Sequence, residues 1–246
     1  MKKIHLSYGR VALLLSLTFF TCSVFSQSWG SGEVGNGNVR EESRDLAGFK
    51  GVAASHGLDV YISQGNSFSV KIKADENLLD NVMTRVENGT LVMKVETPVR
   101  KAKTMAVYVT MPDLEMIKGS GGSDIYIEGK FRFSDLEINM SGGSDLFVKE
   151  MDAQTVNCIT AGGSDAHLAG KADKLTAQAQ GGSDLKAKDL VIRACKISAH
   201  GGSDAVLHVT DELEAEAYGA SDIIYYGKPK VLTQKSHGAS DIISKD

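Results

Sequence analysis

One tetrapeptide returns through the second half of this chain at a nearly constant interval. Gly-Gly-Ser-Asp stands at Gly121–Asp124, Gly142–Asp145, Gly162–Asp165, Gly181–Asp184 and Gly201–Asp204, and returns as Gly-Ala-Ser-Asp at Gly219–Asp222 and Gly238–Asp241. Successive aspartates are 21, 20, 19, 20, 18 and 19 residues apart. A period of about 20 residues is the mark of a solenoid, in which each repeat is one coil stacked on the one before.

Aligning the copies on their aspartates tells helix from strand. Nine residues before each Asp, from the second copy on, stand Leu136, Val156, Leu175, Cys195, Leu213 and Leu232; seven before stand Ile138, Cys158, Ala177, Ile197, Ala215 and Gln234. One and three residues after come pairs such as Ile125/Ile127, Leu146/Val148 and Leu185/Ala187. These offsets are all odd, while the even offsets carry Glu137, Lys196, Glu214 and Gln178. Period-2 alternation with one parity facing inward is a strand pattern. Together with the repeat it predicts an all-β fold, a right-handed β-helix or β-solenoid of about 20-residue rungs. Strands stacked at about 4.8 Å satisfy each other's backbone groups, and seven rungs would span roughly 34 Å. The last rung stops soon after Asp241. Its open edge would invite pairing with a second copy of the chain.

The front of the chain reads differently. Met1-Lys2-Lys3 and Arg10 precede an apolar run from Val11 to Phe20, and Val24-Phe25-Ser26 suits a cleavage point. This predicts a signal peptide over residues 1–26. Cys22 raises a competing lipoprotein reading, although Phe19-Phe20-Thr21 makes a poor acylation motif. Loss of Lys2, Lys3 and Arg10 leaves 24 basic against 31 acidic residues, a balance of −7. Such a chain has no electrostatic reason to seek nucleic acid. Residues 27–47, rich in glycine and charge, are expected to be a flexible leader, with a single β-solenoid domain over 48–246. Its first part, ahead of the regular repeats that begin near residue 114, reads as a β-stranded cap. Leu58–Ile62, Phe68–Ile72 and Val107–Met111 alternate as strands, and Asn88-Gly89 marks a hairpin. His56-Gly57-Leu58-Asp59 is a candidate decayed copy of the tetrapeptide.

The repeated corner explains itself structurally. The first glycine is present in all seven copies, whereas the second gives way to Ala220 and Ala239, so the demand for a left-handed backbone is expected at the first position alone. Ser and Asp suit such a corner because their side chains bond nearby backbone groups. Stacking would also align Asp124, Asp145, Asp165, Asp184, Asp204, Asp222 and Asp241 in one column, which is the candidate binding surface. Neighbouring carboxylates there would repel by about 0.9 kcal/mol in water, and calcium is one way of relieving it. No cofactor is required by this reading. Carboxylates about 5 Å apart also suit glycoside hydrolysis, but every rung offers them alike and none stands out as acid or nucleophile. His200, Tyr218 and His237 share one outward column, and Tyr126, Phe147, His167, Lys186, Val206, Ile224 and Ile243 share another. Cys158 and Cys195 fall in different inward columns two rungs apart, beyond disulfide reach, and are expected to be buried free thiols.

Phe49-Lys50-Gly51-Val52, Leu58–Ile62 and Val107–Pro112 with Leu114, followed by serial Ser-Gly-Gly-Ser-Asp segments, resemble the head GIN domain family. These are secreted proteins typical of Bacteroidetes, described as autotransporter adhesins. The resemblance runs from about Phe49 to the C-terminus. It implies a β-helix-like fold and a periplasmic, outer-membrane or extracellular setting, and it supplies no catalytic residues to transfer. The sequence therefore points to an exported, non-catalytic adhesin-like protein whose partner is a glycan or a surface protein. The competing reading is a polysaccharide-active or calcium-dependent β-helix enzyme.

Overall fold

A computed structural model describes residues 32–245; the expected signal peptide, its cleavage site and Cys22 lie outside the described residues. The cap is built from short strands: β1 (Glu33–Val34), β2 (Val39–Arg44), β3 (Gly51–Ser55), β4 (Asp59–Gln64), β5 (Ser69–Asp75), β6 (Val82–Glu87), β7 (Thr90–Val95), β8 (Val99–Lys101), β9 (Met105–Met111) and β10 (Met116–Ser120). The repeats follow as β11 (Ile125–Ser141), β12 (Leu146–Ala161), β13 (Ala166–Gln180), β14 (Leu185–Gly201) and β15 (Ala205–Gly219), closed by β16 (Ile223–Tyr226), β17 (Val231–Gly238) and β18 (Ile242–Ser244). Each of β11 to β15 pairs in parallel with the next, in register, for most of its length. This is a β-solenoid of about six turns with roughly 20-residue rungs.

The predicted parity holds rung by rung. Ile138, Cys158, Ala177, Ile197 and Ala215 are all at most 2% exposed, as are Ile125, Leu146, Ala166, Leu185, Ala205 and Ile223. It fails only on the final rung. Leu232, in the column of buried Leu213, is 46% exposed, and Gln234 and Ser236 are exposed too. Among the described residues β17 pairs only with β15, which leaves its whole length exposed, the apolar Val231 and Leu232 beside the polar Thr233 to His237. Pro229, Lys230 and Lys235 lie in or beside β17, the residue types that blunt an exposed strand edge.

At the other end, strands of opposite direction close the stack. β3 and β4 form a further rung below β10 and β11, and β7 and β9 lie beneath them. β6 then pairs antiparallel with β7, and β5 with β9. The expected hairpin is present: Asn88 and Gly89 have φ of 48° and 74°, the paired left-handed conformations of a type I′ turn.

The expected flexible leader is corrected for most of its length. β2 lies antiparallel along β5, and β1 pairs with β8. The buried carboxylate of Asp75 fastens this segment, accepting from the backbone N–H of Gly37 at 2.5 Å and of Lys103 at 2.7 Å. Burial alone would push that carboxyl up, but the donated N–H bonds from Lys103, Gly37 and Thr104 hold it below its ordinary range. Composition suggested a leader because everything that orders it comes from residues 70–104.

Candidate binding surface

The corners carry the surface, and they begin one rung earlier than the regular repeats. Asp59 sits beside Asp124, with Val60 in register with Ile125, so His56-Gly57-Leu58-Asp59 is a true corner. His56 takes the left-handed position of the first glycine at φ 66°. From Gly121 to Gly238 the first glycine of all seven corners has positive φ. The second glycine needs correcting: Gly122, Gly143, Gly163 and Gly182 are left-handed as well, at 75°, 73°, 78° and 88°. Only the last three corners turn differently. There the N–H of Ala220 and of Ala239 donates to the carbonyl of Gly201 and of Gly219 one rung earlier. Alanine at two copies reported a change of turn, not a shared tolerance.

Ser and Asp divide the work of the corner. Every corner Ser is buried. In the six corners from Ser144 to Ser240 the hydroxyl donates to the carbonyl three residues earlier and accepts from the N–H of the same residue. The Asp side chain acts between rungs. Asp124, Asp145, Asp165, Asp204 and Asp222 each accept, through Oδ1, the backbone N–H of the next Asp, at 3.0–3.3 Å. The carboxylate thus replaces the backbone acceptor lost where the ladder turns. The column predicted from sequence is assembled, including Asp184 and Asp241, and is longer by Asp59.

Its charge is managed in two ways. Lys186 Nζ bridges Asp165 at 2.6 Å and Asp184 at 3.4 Å, placing a cation at mid-column. Near the cap, burial raises the carboxyl of Asp124, and the charge of Asp145 adds to this against the lowering effect of the Asp145 N–H. Asp59 is raised by burial and then by Asp124. A carboxyl raised in the folded state stabilises the fold fully below its unfolded pKa of about 3.9, and that contribution is lost as pH rises through the folded value. Asp124→Asn keeps the Oδ1 acceptor and removes the charge. It is expected to raise the melting temperature slightly at pH 7, with the gain vanishing below about pH 3.5; thermal scans across pH 3–8 check this. Among the described residues no cluster of three or more His, Cys, Asp or Glu is arranged to hold a metal ion.

Beside the Asp column runs a column of rings. Tyr108, Tyr61, Tyr126, Phe147 and His167 stack in sequence with centroids 4.7–5.0 Å apart. The column continues in register as Lys186, Val206, Ile224 and Ile243. Tyr126 O–H donates to Asp124 at 3.4 Å, and its phenol is pushed up to about 12, by burial first and by the charges of Asp124 and Asp59 next. Tyr61 and Tyr108 were not singled out from sequence; extending the repeat frame to Asp59 places Tyr61 two residues after it, where Tyr126, Phe147 and His167 stand relative to their own aspartates, and Tyr108 joins the column through its pairing with Tyr61. On the neighbouring face His200, Tyr218 and His237 stack at 4.8 and 5.2 Å, as their shared offset predicted.

Cys158 and Cys195 are buried free thiols, each pushed up to about 12 by burial. A thiol reagent at pH 8 is expected to leave both unmodified in the native protein and to titrate both in denaturant. Detection of fewer than two thiols without reductant would contradict the rung assignment.

Comparison with solved structures places this architecture among bacterial proteins of the same build. A putative adhesin from Bacteroides fragilis matches with a TM-score of 0.83 at 22% identity, over 87% of this chain and 100% of that one. A putative adhesin from Parabacteroides merdae matches at 0.68 and 21%, over 88% and 100%. A protein from Parabacteroides distasonis described as a putative lipid binding protein matches at 0.72 and 17%, over 87% and 100%. At these identities the likeness concerns the fold. No curated protein matches the chain. The family model described as "Putative auto-transporter adhesin, head GIN domain" matches residues 48–229, from the first buried strand of the cap to the penultimate rung, and this adhesin-like chain belongs to that family.

Proposed function

We propose that the protein is an exported, non-catalytic binding protein that attaches to glycan or to another surface protein through the outward columns of its solenoid. The observation that carries this reading is the continuity of the Asp and ring columns. The Asp column repeats one chemistry at every corner from Asp59 to Asp241 and the rings run over five consecutive positions, with no corner set apart as a reaction centre. Ring stacking also bears on how the surface binds: within the column each ring covers its neighbour's face, leaving edges and polar tips for the partner. Contacts of that kind are individually weak and add up when many are made together. The adhesin descriptions of the family and of the Bacteroides and Parabacteroides relatives support the same class of function.

The test is a glycan array and a bacterial or host cell-surface overlay, each run with monomeric protein and with protein displayed densely on beads. Binding is expected from beads at concentrations where the monomer shows none. Polysaccharide cleavage that is abolished by one Asp→Asn substitution, but not by the same change on adjacent rungs, would replace the adhesin reading with a catalytic one.

A further inference from the structure

The ring column ends at His167, and a groove of about 580 Å³ opens beside that end. Three features of the repeat produce it. The residue after His167 in the column is Lys186, which is drawn sideways onto Asp165 and Asp184, so the far face of His167 has no ring over it. Two positions beyond the ring column, successive rungs carry Lys149, Ala169 and Lys188, and the single methyl of Ala169 leaves a gap between two long side chains. At this position the register of each strand pair shifts, between Val148 and Met151 and between His167 and Gly170, an irregularity of the kind that bends a strand locally. The floor and far wall are apolar, with Phe147 and Val206 among the lining residues.

The charges at the rim differ from those of the Asp column. Lys149 is exposed and is in none of the ion pairs found among the described residues, and Lys188 Nζ rests 4.5 Å from the ring centroid of Tyr226 without a carboxylate partner. Lys149 and Lys188 stand on rungs two apart, their backbones roughly 10 Å apart by the rung spacing; Lys188, whose ammonium rests toward Tyr226 on the side away from Ala169, has a stem long enough to swing back over Ala169 and meet a ligand there. Asp189 lies on the same rim as an acceptor.

From this geometry we infer that the groove holds a carboxylated sugar unit of a glycan. A groove open along one side covers only one face of its ligand. An acyl chain would be left half in water, whereas a sugar ring is apolar on one face and hydroxylated at its rim. The apolar face rests on Ala169 and the free face of His167; the carboxylate lies between Lys149 and Lys188; ring hydroxyls donate to Asp189. Neutral sugars leave the two cations unused and bind more weakly. The inference rests on the adhesin reading for its glycan but names the site and the sugar class independently of it.

The probes are sodium glucuronate, glucose and sodium decanoate, titrated into the 15N-labelled protein and followed by amide chemical shifts. Glucuronate is expected to shift the amides of His167, Ala169 and Gly170 with a dissociation constant of about 1 mM, while glucose shifts them at least about tenfold more weakly. The double variant Lys149→Gln/Lys188→Gln, altered only at exposed positions, should weaken glucuronate about tenfold or more, and Ala169→Leu should fill the groove and abolish the shifts. Equal response to glucose, an unchanged double variant, or perturbation by decanoate alone would each overturn the assignment. The same double variant separates the two readings. Unaltered adhesion to cells or glycans would remove the groove and leave the adhesin function standing; glucuronate binding without any adhesion by the parent protein would do the reverse.

Discussion

Replacing Gly170 with alanine is expected to destabilise the solenoid by roughly 3 kcal/mol or more, lowering the melting temperature by about 6–12 °C for a domain of this size. Gly170 has φ +118°, and a Cβ built there would stand 2.2 Å from the carbonyl oxygen and 2.6 Å from the amide nitrogen of Met151 on the rung below. Both atoms are backbone, so no side-chain rotation relieves the contact. Relief requires β12 and β13 to separate, and their pairing runs on both sides of the clash, on one side across a register shift. Gly129 supplies the control. It too is left-handed, at φ +71°, but nothing lies within 4 Å of a Cβ built there. Gly129→Ala should therefore show the conformational penalty alone, about 1–2 kcal/mol. Chemical denaturation of the two variants side by side measures the difference. Equal losses would mean that rung-to-rung contact at Gly170 contributes nothing beyond φ.

That glycine illustrates what could be read in the sequence and what could not. The tetrapeptide and the odd offsets specify rung length, the inward parity and the relative positions of the Asp and ring columns, because all of these depend only on strand alternation and a fixed period. Gly170 stands five residues after its corner Asp165, an offset that Gly129 and Gly227 share while Glu150, Asp189 and Val209 break it, so glycine there is not a constant of the repeat. The need for it arises at a register shift between rungs, which the period does not encode, and the groove lies beside the same shift. The leader misled for a related reason: Val39–Arg44 carries four charges in six residues, and only β5 and the carboxylate of Asp75 make it a strand. The alanines at Ala220 and Ala239 were read as tolerance at one position when they marked a second kind of turn. In each case the missing information was an interaction between rungs or across the cap, and no local pattern carries that.

Within the tetrapeptide, the serine rather than the aspartate is expected to dominate stability. Ser203→Ala should cost about 2 kcal/mol and lower the melting temperature by about 4–8 °C, while Asp204→Asn should change it by about 2 °C at most. The Ser203 hydroxyl is fully buried and lies 2.8 Å from the carbonyl oxygen of Ala179 and 3.0 Å from that of His200, while accepting the His200 N–H at 3.2 Å. Alanine leaves these groups facing a methyl that fills less space and bonds nothing, inside a wall packed with Ala179, Ala199 and Ala217. Asp204 is exposed, and asparagine retains the Oδ1 that accepts the Asp222 N–H at 3.0 Å. Removing the acceptor as well, in Asp204→Ala, should fall between the two, since water can reach the freed amide. Thermal unfolding of the three variants ranks them. A larger loss from Asp204→Asn than from Ser203→Ala would mean that the negative charge, and not the hydrogen-bond ladder, is what each corner requires, and would reopen the case for a cation bound along the column.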